Sequence, residues 1–293
     1  MKYQKTIIFL CLSFIGFSCT PTEKDSLVTI STQFGDMNLI LYDETPQHKE
    51  NFLKLARENR YDSTIFHRVI PNFMVQGGDV NAKTGTPNAV SHTIPAEINN
   101  HLIHEKGAIA AARQGDQINP KKESSGDQFY FVHGKVFTNE ELDELEENQN
   151  AYSLQVKIAE LLKKPEYAEL RNEFIQLQRD GNVEGMKKKF QDSRAMVEKE
   201  YGPQPDHTLT DAQRQAYTSV GGSPHLDREY TVFGKVIGGL AVIDSIASQS
   251  TGPGDKPHQN IYMKVKVEEV SKEEITKRYG YQYPEKKENA VSN

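Results

Sequence analysis

The residues best suited to chemistry are concentrated in one run, Phe66-His67-Arg68-Val69-Ile70-Pro71-Asn72-Phe73-Met74-Val75-Gln76-Gly77-Gly78-Asp79. It joins a permanent cation, Arg68, to an amide side chain, Gln76, and to the bulky apolar residues Phe73 and Met74. Arginine is always charged and presents several donors, so it suits a site that must stabilise developing electron density. Taken singly, Phe73 and Met74 read as core packing and Arg68 as half of a surface ion pair. Their offsets from Gln76-Gly77-Gly78-Asp79 make them a candidate site. Other constellations are weaker. His101-x-x-His104 has metal-like spacing, but no thiolate supports it and Glu97 and Glu105 are ordinary surface candidates, so no metal is assigned. Ser223, His225 and Asp227 carry triad residue types. They alternate on one local segment, whereas a triad converges from separate segments, and no nucleophile-elbow motif is present. Gly252-Pro253-Gly254-Asp255-Lys256-Pro257 reads as a turn, because no Gly-Lys-Ser/Thr follows a strand.

Further segments accompany the run in a fixed order: Gly107-Ala108-Ile109-Ala110-Ala111-Ala112-Arg113, Ser124-Ser125-Gly126-Asp127-Gln128-Phe129-Tyr130-Phe131, His225-Leu226-Asp227 and Tyr230-Thr231-Val232-Phe233-Gly234-Lys235-Val236. Together they resemble the signature of the cyclophilin-type peptidyl-prolyl cis-trans isomerases, over roughly residues 27–133 and 223–270. The resemblance implies a mainly β fold: a closed eight-stranded antiparallel barrel capped by two helices. It also implies rotation about Xaa-Pro bonds. That bond has nearly balanced cis and trans forms, yet they interconvert in tens to hundreds of seconds because the amide barrier is about 18–20 kcal/mol. Such a reaction needs no nucleophile, metal or redox cofactor. It needs a dry pocket for the ring and a cation near the nitrogen, whose lone pair is freed only in the twisted state.

By resemblance, Arg68 is that cation and Gln76 positions both it and the substrate backbone. Phe73, Met74, Tyr130 and Leu226 match the pocket lining, and Ala112, Arg113 and Gln128 match the groove for residues preceding the proline. His225 stands where many members carry Trp, and Tyr230 where many carry His. Tyr130 replaces a common Phe and is expected to add a hydroxyl at the pocket wall. Arg113 and Gln114 replace smaller groove residues. A different substrate and inhibitor preference is expected from these departures. A binding module that grips proline segments with weak or incidental isomerisation is the alternative, although Arg68 and Gln76 would not be needed for ring binding alone.

The elements that must position these residues are legible as patterns. Strands are expected over Leu27–Phe34 and Met37–Tyr42, joined at Gly35-Asp36, with further short strands in 61–80, 94–98, 107–111 and 128–133. Pro46 opens a helix whose apolar side carries Phe52, Leu53, Leu55 and Ala56. After Phe137 the character becomes helical. Thr138 with Glu141, and Thr210 with Gln213, are capping patterns. Stripes at Leu154, Ile158, Leu161, at Leu170, Phe174, Leu177 and at Val183, Met186, Phe190, Val197 mark buried helix faces. Residues 134–222 are therefore read as an inserted α-helical subdomain without a counterpart in a minimal cyclophilin, emerging at the pocket rim. A client-recruiting arm and an elaboration with no binding role are both open at this point. A strand over 230–236, a helix from Leu240 to Ala247 and a strand over 261–270 complete the second barrel part. The charged tail 271–293 is expected to fray.

The N-terminus reads as an export address. Lys2 and Lys5 precede the apolar run Ile7–Phe17, too short to span a bilayer and suited to a signal peptide. Ser18-Cys19-Thr20 follows, resembling a bacterial lipobox, so residues 1–19 are expected to be a signal segment ending at a lipidated Cys19, with 20–26 a linker. Cys11 lies within the removed segment, leaving no thiol for a disulfide. The expected location is a lipid-anchored, periplasm-facing domain that meets the membrane through its anchor only. The 293 residues carry 41 acidic and 35 basic side chains, a formal charge of −6. That balance, without long basic runs, disfavours nucleic acid as a partner. Proline-containing unfolded or extended polypeptides are the expected partners.

Overall fold

The computed structural model describes residues 23–86, 92–204 and 206–284. The export signal and Cys19 lie outside them. The strands are β1 (Lys24–Thr32), β2 (Gly35–Leu41), β3 (Arg68–Ile70), β4 (Met74–Gly77), β5 (Thr93–Ile94), β6 (Ala108–Ala111), β7 (Ser124–Ser125), β8 (Phe129–Val132), β9 (Val232–Gly238) and β10 (Lys264–Ser271). Eight form one antiparallel sheet in the order β10-β1-β2-β9-β6-β8-β4-β3, and β5 pairs with β7. Among the described residues no pairing between named strands closes the sheet, but the segments entering its two edge strands are tied. The Phe66 N–H donates to the Ile261 carbonyl at 2.9 Å, Met263 N–H to Thr64 at 3.0 Å and Ser63 N–H to Met263 at 2.9 Å.

One face of the sheet and two helices enclose the main core. Val28, Ile30, Met37, Leu39, Phe66, Val69, Val75, Ile109, Phe129, Phe131 and Phe233 fill it from the strands and the segments beside them. Helix α1 (Pro46–Arg57) adds Phe52, Leu53 and Ala56, and α7 (Ala241–Ala247) adds Val242, Ile243, Ile246 and Ala247. Phe52, Tyr61 and Phe129 meet with ring centroids 4.9–5.4 Å apart, two of the contacts edge-on, as the aromatic quadrupoles prefer.

Between β8 and β9 the chain leaves the sheet to form α2 (Asn139–Leu161), α3 (Ala168–Arg179), α4 (Val183–Asp192), α5 (Arg194–Tyr201) and α6 (Asp211–Ser219). Both expected capping boxes, Thr138/Glu141 and Thr210/Gln213, are formed. Ile158, Leu161, Leu170, Phe174 and Val197 make this subdomain's own core. The neck is narrow. Lys135 N–H donates to the Gly222 carbonyl at 3.1 Å and Gly222 N–H returns to Lys135 at 2.9 Å. Gly134 has φ +62°, and a Cβ there would collide with the Gly222 backbone, so glycine is required at the pinch.

Two expectations at the termini are corrected. The linker assigned to 20–26 ends sooner, because Lys24–Ser26 already pair with Glu269–Ser271 at the start of β1. The tail does not fray over its described part. It forms α8 (Lys272–Tyr279), capped by Ser271 Oγ on the Glu274 N–H at 3.2 Å and stopped by Gly280 at φ +70°. Ile275 is fully buried with Leu27 and Ile40, and Tyr279, Tyr281 and Tyr283 pack on them. The high charge of this segment hid the apolar positions that dock it.

Helix α1 has no side-chain cap from its own N-terminal residue. Glu97 supplies one from a distant loop, accepting from Gln47 N–H at 3.1 Å and His48 N–H at 3.0 Å, with His48 Nδ1 at 2.6 Å. Burial raises this carboxyl, but the His48 side chain and the two backbone donors outweigh it and leave it below the ordinary range. A carboxylate depressed in the fold stabilises above its unfolded value near 4.3, and that stability is lost as pH falls through the folded value. Glu97→Gln is expected to cost about 1 kcal/mol at pH 7. In urea unfolding, the gap between variant and wild type should shrink as pH drops below about 4.

Candidate functional site

The site is built by strand alternation. Successive side chains point to opposite faces, so register decides which residues meet. Arg68 pairs with Gln76, Gln76 with Tyr130, Tyr130 with Ala110 and Ala110 with Val232, one row across five strands. The neighbouring row, Val69, Val75, Phe131 and Ile109, belongs to the main core. The first row and its flanks form a second apolar cluster outside it. Met74, Ala108, Ala110, Tyr130, Val132, Leu226 and Val232 are buried there, with Phe73, Ala112 and Tyr230 partly buried against them.

Phe73 enters this cluster from the β3–β4 turn, where Asn72 takes a left-handed φ of +61°. Its carbonyl accepts from His133 N–H at 3.1 Å, Gly134 N–H at 3.0 Å and Ser223 Oγ at 3.3 Å, so two distant segments pin the turn. The Pro224–Leu226 helical turn brings Leu226 into the cluster and lays the exposed His225 ring beside Phe73 at 5.3 Å.

Arg68 is 43% exposed, which leaves its guanidinium within reach of a ligand while its strand is fixed. Its Nε donates to Asp255 Oδ2 at 3.3 Å. Asp255 sits in the Gly252–Pro257 loop with φ +58°, after Gly254 at φ +74°, and Gly252 N–H closes that loop onto the Lys256 carbonyl at 2.8 Å. The sequence assigns Arg68 to Gln76 for positioning. In the structure the two are register partners, but the Gln76 amide donates to Gln128 Oε1 at 3.1 Å, and Asp255 holds the guanidinium. Sequence reading missed Asp255 because its loop carries only turn signals.

Beside Gln76 lies a groove of about 400 Å³ lined by Ala112, Arg113, Gln114, Ile118, Asn119 and Gln128 among others. Ala112 N–H bonds to the Gln128 carbonyl at 2.9 Å, which joins the two groove walls. Arg113 is only 5% exposed. Its guanidinium donates to the Glu229 carbonyl at 2.8 Å, to Glu229 Oε2 at 3.1 Å and to Asp116 at 2.5 Å, and it lies 4.5 Å over the Tyr230 ring. It therefore builds the wall together with Tyr230, its charge already matched.

The expected hydroxyl at the pocket wall is corrected. Tyr130 is 4% exposed, and its hydroxyl is 3.0 Å from His104 Nε2, turned into the protein. His104 has its other ring nitrogen on Asp227 at 2.9 Å, so neither nitrogen is left for the metal that its spacing to His101 could suggest. Every residue named from the sequence for the site thus falls on this one face or its rim. Asp255, His104, Asp227 and Tyr217 are the additions made by the fold.

Comparison with known proteins supplies the context. The family described as cyclophilin type peptidyl-prolyl cis-trans isomerase/CLD matches residues 27–187 and 195–267. A Streptococcus pyogenes protein, provisionally named as a bifunctional phosphatase/peptidyl-prolyl cis-trans isomerase, is 32% identical over 238 residues; the match covers 80% of this chain but only 37% of that longer protein. A Staphylococcus aureus protein, provisionally named as a peptidyl-prolyl cis-trans isomerase, is 28% identical over 245 residues, covering 83% of this chain and 91% of the relative. Among solved structures, a cyclophilin-type peptidyl-prolyl cis-trans isomerase from Cryptosporidium parvum aligns with a TM-score of 0.48 at 18% identity, covering 84% of this chain and 98% of that one.

Since Asp255 is 46% exposed and its link to Arg68 is single, Asp255→Asn should leave the melting temperature nearly unchanged. The Arg68 Nε–H should exchange with solvent measurably faster in that variant, read by nitrogen-resolved NMR of the guanidinium.

Proposed function

The chain belongs to the cyclophilin-type peptidyl-prolyl cis-trans isomerase family, and from that premise we propose that it isomerises Xaa-Pro bonds in extracytoplasmic polypeptides and so assists their folding. The observation that carries this is the row Arg68, Gln76, Tyr130 on the side of the sheet away from the main core, running from a part-exposed guanidinium into an apolar cluster. On this reading the edge ties between 63–66 and 261–263 act as the seam of a closed barrel.

The proline ring is received by Phe73, Met74, Tyr130 and Leu226, which exclude water from it. Arg68 approaches the imide nitrogen. In the planar bond that lone pair is delocalised into the carbonyl; at the twisted midpoint it is localised and accepts a hydrogen bond. A donor that binds only then lowers the barrier without deepening either ground state. Asp255 occupies Nε, so the two terminal nitrogens are the ones available to substrate. Gln76, fixed by Gln128, offers its remaining amide valences to the peptide backbone, and Ala112, Gln128 and the Arg113–Tyr230 wall accept the residues before the proline.

Export and lipidation at Cys19 would tether this site at a membrane surface, facing newly translocated chains in the periplasm. Among the described residues no helix is long and apolar enough to cross a membrane, and a lipid-modified cysteine would make one unnecessary. In a bacterial host, Cys19→Ala is expected to move the protein from the membrane to the soluble fraction on centrifugation; equal membrane retention would remove the anchor from the account.

Arg68→Ala should lower kcat on an Ala-Pro tetrapeptide by about 100-fold, the usual effect of losing one transition-state donor, with peptide affinity within about threefold. NMR exchange spectroscopy gives the first quantity and titration the second. Matched losses in both would contradict the role given to Arg68. No exchange by the wild type alongside retained peptide binding would make this a binding module.

A further inference from the structure

Beneath the pocket lies a polar line that the isomerase reading does not use. Asp227, 7% exposed, directly follows Leu226. Its Oδ1 accepts from the His104 backbone N–H at 2.9 Å and lies 2.9 Å from His104 Nδ1, while its Oδ2 accepts from the Tyr217 hydroxyl at 2.6 Å. Beyond the fully buried His104 ring, Nε2 lies 3.0 Å from the Tyr130 hydroxyl. The polarity follows from donor counting. A carboxylate only accepts, so Nδ1 bears a proton toward Asp227, and in that Nδ1–H tautomer Nε2 accepts and Tyr130 donates. Burial, first of all, pushes both the Tyr130 and the Tyr217 phenols well above their ordinary range, so each keeps the proton it must give.

The two ends of this line belong to different parts of the molecule. Tyr130 is in the pocket row on β8. Tyr217 is on α6, the last helix of the inserted subdomain, fully buried with Leu142, Leu209, Ile103 and Phe137. Phe137 N–H also bonds to the Tyr217 carbonyl at 3.0 Å, which sets the helix at the neck. Resting on the isomerase reading of the pocket, we propose that Tyr217, Asp227 and His104 are positioning residues: they form a hydrogen-bonded line from the insertion that holds the Tyr130 ring and Leu226 in place against the proline. Helix α6 is thereby part of the site although it does not line it. The line also takes the Tyr130 hydroxyl inward, so a tyrosine presents the apolar face that a phenylalanine would. Excising 138–220 removes Tyr217 together with the arm, leaving a buried carboxylate short of a donor, so such a deletion perturbs the pocket whatever the arm itself does.

The full chain is compared with Tyr217→Phe, Tyr130→Phe and the double variant. The readouts are kcat and KM on an Ala-Ala-Pro-Phe tetrapeptide, Kd for the same peptide by NMR titration, and the fold by circular dichroism. Loss of one buried hydrogen bond in the line should raise KM and Kd about fivefold in Tyr217→Phe, with kcat within about twofold. The double variant should bind no more weakly than Tyr130→Phe alone, because both changes break one line. An unchanged KM in a folded Tyr217→Phe, or losses that multiply in the double variant, overturns the proposal. Nitrogen NMR of the unmodified chain tests it where a variant fails to fold: the Nδ1–H tautomer of His104 supports the line, and the Nε2–H tautomer overturns it. A wild type that binds the peptide without turning it over, with Kd shifting as stated, ends the assigned activity and leaves the positioning line standing.

Discussion

A strand turns successive side chains to opposite faces, and here that alternation separates two jobs that would otherwise compete. In β3, β4, β8 and β6 one set of positions, Val69, Val75, Phe131 and Ile109, is spent on the main core. The set between them, Arg68, Gln76, Tyr130 and Ala110, faces away from that core in a single row. A slip of one residue in any of these pairings would carry Arg68 or Tyr130 to the face of the main core and break the row. The hydrophobic demand of the core therefore holds the register, and the register assembles the site. The ties between 63–66 and 261–263 matter for the same reason, since they restrain the edge on which Arg68 sits.

The principal charged groups beneath and beside that row have partners. Arg113 is matched by Glu229 and Asp116, Arg68 by Asp255, and Asp227 by His104 and Tyr217. Such matching is needed because a buried donor or acceptor left alone costs about 1–3 kcal/mol, and a lone charge more. The consequence is a rigid surround. The apolar notch is bounded mostly by residues whose polar ends are committed elsewhere, so ring surface, a guanidinium and the remaining Gln76 amide valences are what it offers to a peptide. That combination fits an imide whose planar form is apolar in contact and whose twisted form exposes a lone pair.

The inserted helices show how an elaboration can be separate and connected at once. Ile158, Leu161, Leu170, Phe174 and Val197 give them a core of their own, apart from that of the sheet. A second, smaller cluster of Leu142, Leu209 and Tyr217 with Ile103 and Phe137 joins them to the sheet domain at the neck. The Gly134–Gly222 pinch keeps that neck narrow, and the Tyr217 hydroxyl passes through it to Asp227.

Local pattern carried much of this protein without coordinates. The run from Phe66 to Asp79, the helix opened by Pro46, the two capping boxes and the apolar stripes of the insertion depend on neighbours a few residues away, and their chemistry is written in spacing. Side-chain partners across long chain separations are not. Asp255 is 187 positions from Arg68, Glu97 is 49 from His48, and Asp227 is 123 from His104. Asp255 and Glu97 read in sequence as an ordinary turn and surface position, and Asp227 as a triad residue type confined to one local segment, because a hydrogen bond leaves no periodic trace. The direction of the Tyr130 hydroxyl and the docking of Ile275 under a charged helix were likewise decided only when distant segments packed. Period and composition report what a residue can bury; only the packed chain decides which donor meets which acceptor.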